Sequence, residues 1–445
     1  MGRLFGTDGV RGVANIDLTP ELALGLGRAL ARTLREEGAP APRVVIGRDP
    51  RASGEMLEAA LVAGICSAGG EAVVAGVIPT PGVAFLVLAL GADSGAVISA
   101  SHNCVEDNGI KFFGRDGFKL TDDEEDHIAS LLEHTDARPP IGAAVGRVRR
   151  AHGVIEAYQA HLVATVRGRQ LSSLRVVVDC ANGAASDVAP TVLRRLGCDV
   201  TPIHALPDGT NINDGCGSSH PEVVAAAVLE THADVGLAHD GDADRLIAVD
   251  HTGAIVDGDA ILAILASHTH RTRGLDGVVT TVMTNMGFHR AMARLGIEVI
   301  QTKVGDRYVL ETMRSGGYPL GGEQSGHIIF AEHATTGDGV LTAVQLLAAM
   351  VEEGETLAQL AQVMHRLPQV LINVRGIAAD RLPRADQLWK AVTEAEVALG
   401  AAGRVLVRAS GTEPVVRIMV EADLHERAAD LANHLAAIAT AELAH

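Results

Sequence analysis

The stretch Gly95-Ala96-Val97-Ile98-Ser99-Ala100-Ser101-His102-Asn103, continuing through Asp107-Asn108-Gly109-Ile110-Lys111, decides how the chain is read. Its first four residues form a short apolar run that reads as a buried strand, so the polar residues emerge at a strand's carboxyl end, where open α/β sheets place their ligands. A hydroxyl, an imidazole and an ammonium then share one short loop. On turn chemistry alone such a run is an ordinary polar turn. It becomes a site only if other loops supply partners.

Composition narrows the search for them. A chain of 445 residues accommodates three or four domains of about 100 to 150 residues each. Apolar residues make up 47% and aromatics only 2%, so the core is built from Ala, Val, Leu and Ile, as in layered α/β domains. A formal charge of −18 with few stacking residues excludes a nucleic-acid partner. It does not exclude an anionic substrate, because local basic groups set the potential inside a cleft. Cys66, Cys104, Cys180, Cys198 and Cys216 form no C-x-x-C pair and are odd in number, which reads as free thiols in a reducing cytosol. The N-terminus lacks the apolar stretch of a secretory signal, and Val73 to Ala92 is broken by Pro79 and Pro81, so no membrane span is expected. The expected compartment is the cytoplasm.

Strand and helix patterns alternate, which argues for parallel sheets with crossover helices. Thr19-Pro20 starts a helix running from Glu21 to Glu37. Val44–Ile46, Ala72–Val77 and Ala96–Ile98 read as strands of a first unit. Arg175–Asp179, Asp199–Ile203 and Val235–His239 form a second, and Val278–Met283 with Glu298–Thr302 a third. After Pro368 the pattern changes: Val370–Val374, Arg404–Val407 and Val415–Val420 are β-rich, with helices over Gln387–Leu399 and His425–Leu443. The fold expected is three consecutive α/β mixed-sheet domains, over 1–153, 154–254 and 255–367, followed by a small α+β domain over 368–445.

Three further loops carry chemistry. Asp240-Gly241-Asp242-Ala243-Asp244-Arg245 follows an apolar run, and its alternate carboxylates can converge on one hard cation such as Mg²⁺. It is not an EF-hand, since the sixth and twelfth places hold Arg245 and His251. Gly321-Gly322-Glu323-Gln324-Ser325-Gly326-His327 could hydrogen-bond a polyol or be a glycine-rich turn into a strand. Arg408-Ala409-Ser410-Gly411-Thr412-Glu413-Pro414 with Arg417 forms an anion cradle, and without a P-loop lysine it suits a phosphate ester better than a nucleotide. Two arginine-bearing segments, Gly6 to Gly12 and Gly47-Arg48-Asp49-Pro50-Arg51, read as scaffold whose Asp and Arg pair with each other.

In this order, the four loops resemble the α-D-phosphohexomutase superfamily over nearly the whole chain. Phe5 to Gly12, Asn211-Ile212-Asn213-Asp214-Gly215-Cys216-Gly217-Ser218 and Lys303 to Tyr308 look like its glucosamine branch. The resemblance implies domains arranged around a central cleft and an isomerase that interconverts glucosamine 6-phosphate and glucosamine 1-phosphate, feeding UDP-N-acetylglucosamine and cell-wall precursors. It implies Ser101 as phosphoserine, and Mg²⁺ held by Asp240, Asp242 and Asp244 with Ser101. Glucosamine 1,6-bisphosphate or glucose 1,6-bisphosphate would be the intermediate or activator. His102, Lys111, Arg245 and His327 would be catalytic, with Lys111 and His327 both candidates for the general acid or base. Arg11, Lys303, Glu323, Ser325, Arg408, Ser410, Gly411, Thr412 and Arg417 would bind substrate. The partners implied are a sugar phosphate and, at most, a second copy of the chain as a homodimer.

Three carboxylates and a phosphoserine of about −2 total about −5 against the metal's +2, leaving Arg245, Lys111, His102 and Arg11 as cations to offset about −3. Two departures stand out. Cys104 replaces the proline the family often has after Ser-His-Asn, and His239 stands where an aromatic residue is common, which reads as packing rather than ligation. The rival readings are a phosphomannomutase or phosphoglucomutase, a Mg²⁺-dependent sugar phosphatase, and a noncatalytic sugar-phosphate sensor.

Overall fold

The structure is a computed structural model that describes residues 3–6, 8–132, 139–409 and 415–443. It divides into two compact units, Met1–Val282 with Ile297–Gln362, and Met283–Gly296 with Val363–His445.

The first unit holds three sheets. In the first, the strands lie in the order Val10–Val13, Asp107–Gly114, Ser94–Ile98, Arg43–Arg48, Glu71–Val77 and Val148–Arg150. The central strands are parallel, as alternation with helices requires, but Asp107–Gly114 runs antiparallel to both neighbours. The second sheet is ordered Ile255–Val256, Leu246–Asp250, Val235–His239, Arg175–Asp179, Asp199–Ile203, again parallel except where Leu246–Asp250 turns back. The third is ordered Glu298–Thr302, Gly277–Thr281, Leu320–Gly322, Ile328–Phe330. The sheets are therefore mixed rather than parallel throughout. Each antiparallel partner follows a site loop immediately, which is the shortest way to return the chain to the sheet.

Two expectations are corrected here. The strand read as Val278–Met283 ends at Thr281, because Asn285 accepts the Gly287 N–H and starts helix Met286–Leu295. Asp107 to Lys111 is strand, not loop; Lys111 pairs with Val97, and its flanking Ile110, Phe112 and Phe113 are buried in the core.

Helix Pro20–Glu36 starts as its sequence dictates, with Thr19 Oγ1 accepting the Leu22 N–H at 3.2 Å and Pro20 in the first turn. It packs on helix Ala52–Ser67 at two glycines. A Cβ at Gly64 would strike the Leu24 carbonyl, and one at Gly27 the Leu61 carbonyl. Since backbone cannot rotate away, Gly64→Ala should cost about 2 kcal/mol, overpacking outweighing the roughly 1 kcal/mol gained in helix propensity. The measurement is the urea midpoint, and an unchanged midpoint would contradict the close crossing.

The second unit is an antiparallel sheet, ordered Gln369–Arg375, Val415–Glu421, Arg404–Ala409. Its core unites Val416, Ile418 and Val420 with Leu388 and Val392 of helix Asp386–Leu399 and Ala432 and Leu435 of helix His425–Glu442. Among the described residues no helix is long and apolar enough to cross a membrane.

Candidate active site

Two loops at strand carboxyl ends meet in the first unit. Ser94–Ile98 delivers Ser101, and Val235–His239 delivers Asp240, Asp242 and Asp244. Ser101 Oγ donates to Asp240 Oδ2 at 2.6 Å and lies 3.2 Å from His102 Nδ1. One oxygen from each of the three carboxylates falls within a 4.8 Å cluster, and all three residues are buried.

Like charges this close need compensation. Lys111, reaching in from strand Asp107–Gly114, donates to Asp242 Oδ2 at 3.0 Å and lies 3.9 Å from Asp244. Burial alone would lower its ammonium, but Asp242, Asp244 and Asp8 hold it above its ordinary value, so it stays charged. Arg245 Nε stands 3.7 Å from Asp244 and 4.0 Å from Asp240. The carboxyls are thereby driven apart. Burial and the neighbouring Asp244 and Asp242 push Asp240 well above the usual range. Asp244 is equally buried, but His327, Lys111 and Arg245 hold it well below.

Burial and the guanidiniums of Arg245 and Arg11 push the His102 imidazole down, and Arg245 Nη1 lies 3.1 Å from its Nδ1, so Lys111 and Arg245 are the cations that face the carboxylates directly. Arg11 is partly committed too, donating to Asp8 at 2.9 Å, as the pairing read from its segment anticipated.

The fit to a divalent cation rests on which oxygens are spoken for. Asp242 Oδ2 accepts from Thr80 Oγ1 at 2.5 Å and from Lys111, whereas Asp242 Oδ1 and Asp244 Oδ1 are buried without a hydrogen bond. Buried lone pairs left on hard oxygens suit Mg²⁺. A second trio, Asp179, His204 and Cys216, is also close enough to share an ion. There, however, the Asp179 oxygens already accept the N–H groups of Ala181 and Gly217 and face His204 Nδ1 at 3.1 Å.

The loop carrying Glu323, Ser325 and His327 lies between strands Leu320–Gly322 and Ile328–Phe330. Glu323 Oε1 accepts the Gly305 N–H at 3.0 Å, tying this loop to the segment that carries Lys303, and Ser325 Oγ is buried without a partner. Lys303 Nζ sits 5.8 Å from the centre of the Tyr308 ring. His327 faces Asp244 through Nδ1 at 3.4 Å, while its Nε2 accepts the Gly337 N–H at 3.1 Å. That amide favours the proton on Nδ1, toward Asp244, while against burial Asp244 and Asp306 hold the imidazole above its ordinary value.

Beside it, Asp338 caps helix Gly339–Glu353 and accepts the Tyr158 hydroxyl at 2.7 Å, and burial pushes its carboxyl up to about 6. The folded state therefore binds a proton that the unfolded chain has released, and stability falls as pH rises from about 4 to about 6. Asp338→Asn mimics the protonated form, so its advantage over the parent should open across that window to about 2 to 3 kcal/mol. Denaturant unfolding at pH 4 and pH 7 tests this; a gap independent of pH would refute it.

In the second unit, Arg408 and Arg417 face each other in register across adjacent antiparallel strands. Burial and the charge of Arg417 push the Arg408 guanidinium below its ordinary value. Ser410, Gly411 and Thr412 lie outside the described residues.

Several contributors escaped the sequence reading. Thr80 binds Asp242 with both its hydroxyl and its N–H, and its position just past strand Glu71–Val77 was the available signal. Lys119, its side chain 6% exposed, bridges Asp8 and Asp306. His239 packs as expected, donating from Nδ1 to the Arg245 carbonyl at 3.1 Å, with burial pushing it down to about 4.

This fold and these loops define a class. Four models of the phosphoglucomutase/phosphomannomutase family match in sequence: alpha/beta/alpha domain I over 2–139, domain II over 156–253, domain III over 257–367, and the C-terminal domain over 346–438. The chain belongs to this family. Within it, the chain is 56% identical over 445 residues to phosphoglucosamine mutase of Streptomyces coelicolor, covering 98% of each chain. It is 54% identical to phosphoglucosamine mutase of Thermobifida fusca, covering 100% of this chain and 99% of that one. A phosphoglucomutase/phosphomannomutase family protein of Burkholderia thailandensis superposes with a TM-score of 0.85 at 26% identity, over 99% of this chain and 97% of that one.

Proposed function

We propose that the chain is an isomerase that interconverts glucosamine 6-phosphate and glucosamine 1-phosphate, carrying the phosphoryl group on Ser101. The observation that carries the reading is the hydrogen bond of Ser101 Oγ to Asp240 within the three-carboxylate cluster, in a chain more than half identical to phosphoglucosamine mutases.

In the forward direction the P–O bond to Ser101 breaks as one to the sugar O1 forms, giving a 1,6-bisphosphate; after the bisphosphate reorients, its 6-phosphoryl returns to Ser101. The work is mostly positioning and charge stabilisation. Asp240, Asp242 and Asp244 would hold Mg²⁺ with the phosphoserine, and the bound ion would neutralise charge on the transferring group. Lys111 and Arg245 offset the remaining carboxylate charge. When the phosphoryl group returns, the serine proton has Asp240 Oδ2 in reach, at 2.6 Å. Lys111 and His327 are the two groups for proton transfer at the sugar: Lys111, held charged, can donate a proton, while His327 holds its Nε2 lone pair against the Gly337 amide. Glu323 and Ser325 would hold sugar hydroxyls, and the Arg408–Arg417 pair the phosphate that is not reacting.

Intact mass and peptide mapping, followed by turnover of the 6-phosphates of glucosamine, mannose and glucose, test both halves. The expected result is phosphate on Ser101 and a clear preference for the amino sugar. A preference for either neutral sugar would reassign the substrate, and phosphate release without isomerisation would make the chain a phosphatase.

A further inference from the structure

The reading of Ser101 as phosphoryl carrier leaves a question of geometry. Ser101 has φ +52, a left-handed conformation that costs a non-glycine residue on the order of 1 kcal/mol unless its surroundings enforce it. The enforcing groups come from two segments so far assigned no role in the chemistry.

Arg51 is fully buried, and each N–H of its guanidinium is spent. Nη2 donates to the carbonyls of Ser101 at 3.0 Å and Asn103 at 2.9 Å. Nη1 donates to those of Cys104 and Asp107, the latter at 3.0 Å, and Nε to Asp49 at 2.9 Å. Nothing is left for a phosphate, and the adjacent Asp49 balances its charge. Asp49 Oδ2 also accepts the Ser99 hydroxyl at 2.5 Å, and Ser99 Oγ in turn accepts the Ser101 N–H at 3.0 Å. From the neighbouring α/β module, Asn213 Nδ2 donates to the same Ser101 and Asn103 carbonyls, at 2.8 and 3.0 Å. Asn213 is itself left-handed, at φ +58, and its N–H is held by the Ala181 carbonyl at 2.9 Å. The metal loop presses on the same point: a Cβ at Gly241 would lie 2.6 Å from the Ser101 carbonyl and 2.9 Å from Asn213 Nδ2.

We infer that Arg51 and Asn213 are positioning residues for phosphoryl transfer, gripping the Ser101 carbonyl from two modules so that Oγ is aimed at the three carboxylates. Their action is geometric, because Arg51 is neutralised and Asn213 is uncharged. Losing either should lower kcat while leaving KM largely unchanged, as small misplacements at a reacting atom do.

Asn213→Ala and Asn213→Asp test this in the full chain. Aspartate keeps the side chain's size and tolerates left-handed backbone better than alanine, but sets oxygen against two carbonyl oxygens. If Asn213 acted only through packing or backbone preference, Asn213→Asp would be the milder change. The inference expects the reverse: kcat down about 30-fold in Asn213→Ala and further in Asn213→Asp, with KM within twofold and Tm within a few degrees of the parent. Arg51→Lys, whose single ammonium cannot span four carbonyls, should show the same split of kcat from KM. A kcat for Asn213→Asp at or above that of Asn213→Ala, or within twofold of the parent, overturns the inference. Residual mutase activity in Ser101→Ala would instead overturn the reading beneath it.

Discussion

Ser101→Ala is expected to abolish mutase activity, a fall of at least about 10⁴-fold or roughly 5.5 kcal/mol in barrier, and to leave the protein unable to take a phosphoryl group from a hexose 1,6-bisphosphate. The size of the effect follows from the lack of a substitute. Two other hydroxyls are near, and both are committed: Ser99 Oγ donates to Asp49 and accepts the Ser101 N–H, and Thr80 Oγ1 donates to Asp242. Water cannot take the carrier's place, because a phosphoryl group passed to water is lost rather than returned to the sugar. The fold should survive, since the Ser101 N–H and carbonyl keep their partners. Intact mass after incubation with bisphosphate reads the modification directly. A phosphorylated Ser101→Ala protein, or one that still isomerises, would place the carrier elsewhere.

How much of this was legible beforehand depends on the range of the interactions. Arg175–Asp179, Asp199–Ile203 and Val235–His239 match the strands read from sequence because each is a short apolar or β-branched segment bounded by a loop signal. Asp107 to Lys111, which lies in strand Asp107–Gly114, reads as loop because Asn108-Gly109 is turn chemistry and Lys111 interrupts the apolar pattern. That lysine is buried for electrostatic reasons no periodicity shows.

The site divides the same way. Ser101, the three aspartates and the Glu323 to His327 loop are runs whose chemistry lies within a few residues. Thr80 meets Asp242 across 162 positions, and Asn213 meets Ser101 across 112. A lone Thr or Asn at such distances carries no local pattern, and only the folded chain brings it to its partner. Arg51 was visible but misjudged. Its pairing with Asp49 is real, yet it uses one of five donors, and the other four hold the serine loop.

Asp242→Asn separates the metal site from the scaffold that carries it. Asp242 uses its two oxygens differently: Oδ2 accepts from Thr80 and Lys111, while Oδ1 is buried with no hydrogen bond. Asparagine can satisfy Thr80 and Lys111 only by placing its carbonyl oxygen where Oδ2 was. Its amide N–H groups then point where Oδ1 had offered lone pairs, and a cation needs acceptors there. The local fold is thus retained while the site is inverted from attracting Mg²⁺ to repelling it. The expected result is a Mg²⁺ affinity at least about 100-fold weaker and a comparable loss of kcat. Thermal or denaturant unfolding reads the affinity without turnover: Mg²⁺ at 100 times the parent's Kd should stabilise the parent by about 2.7 kcal/mol and the variant by about 0.4 kcal/mol or less. Removing the charge relieves like-charge repulsion in the cluster but takes from buried Lys111 its 3.0 Å carboxylate partner and leaves it Asp244 at 3.9 Å, so the metal-free variant should be less stable than the metal-free parent by about 1 to 3 kcal/mol. A Mg²⁺ titration identical to the parent's would remove Asp242 from the metal site, and collapse of the metal-free variant would show that its carboxylate serves the fold instead.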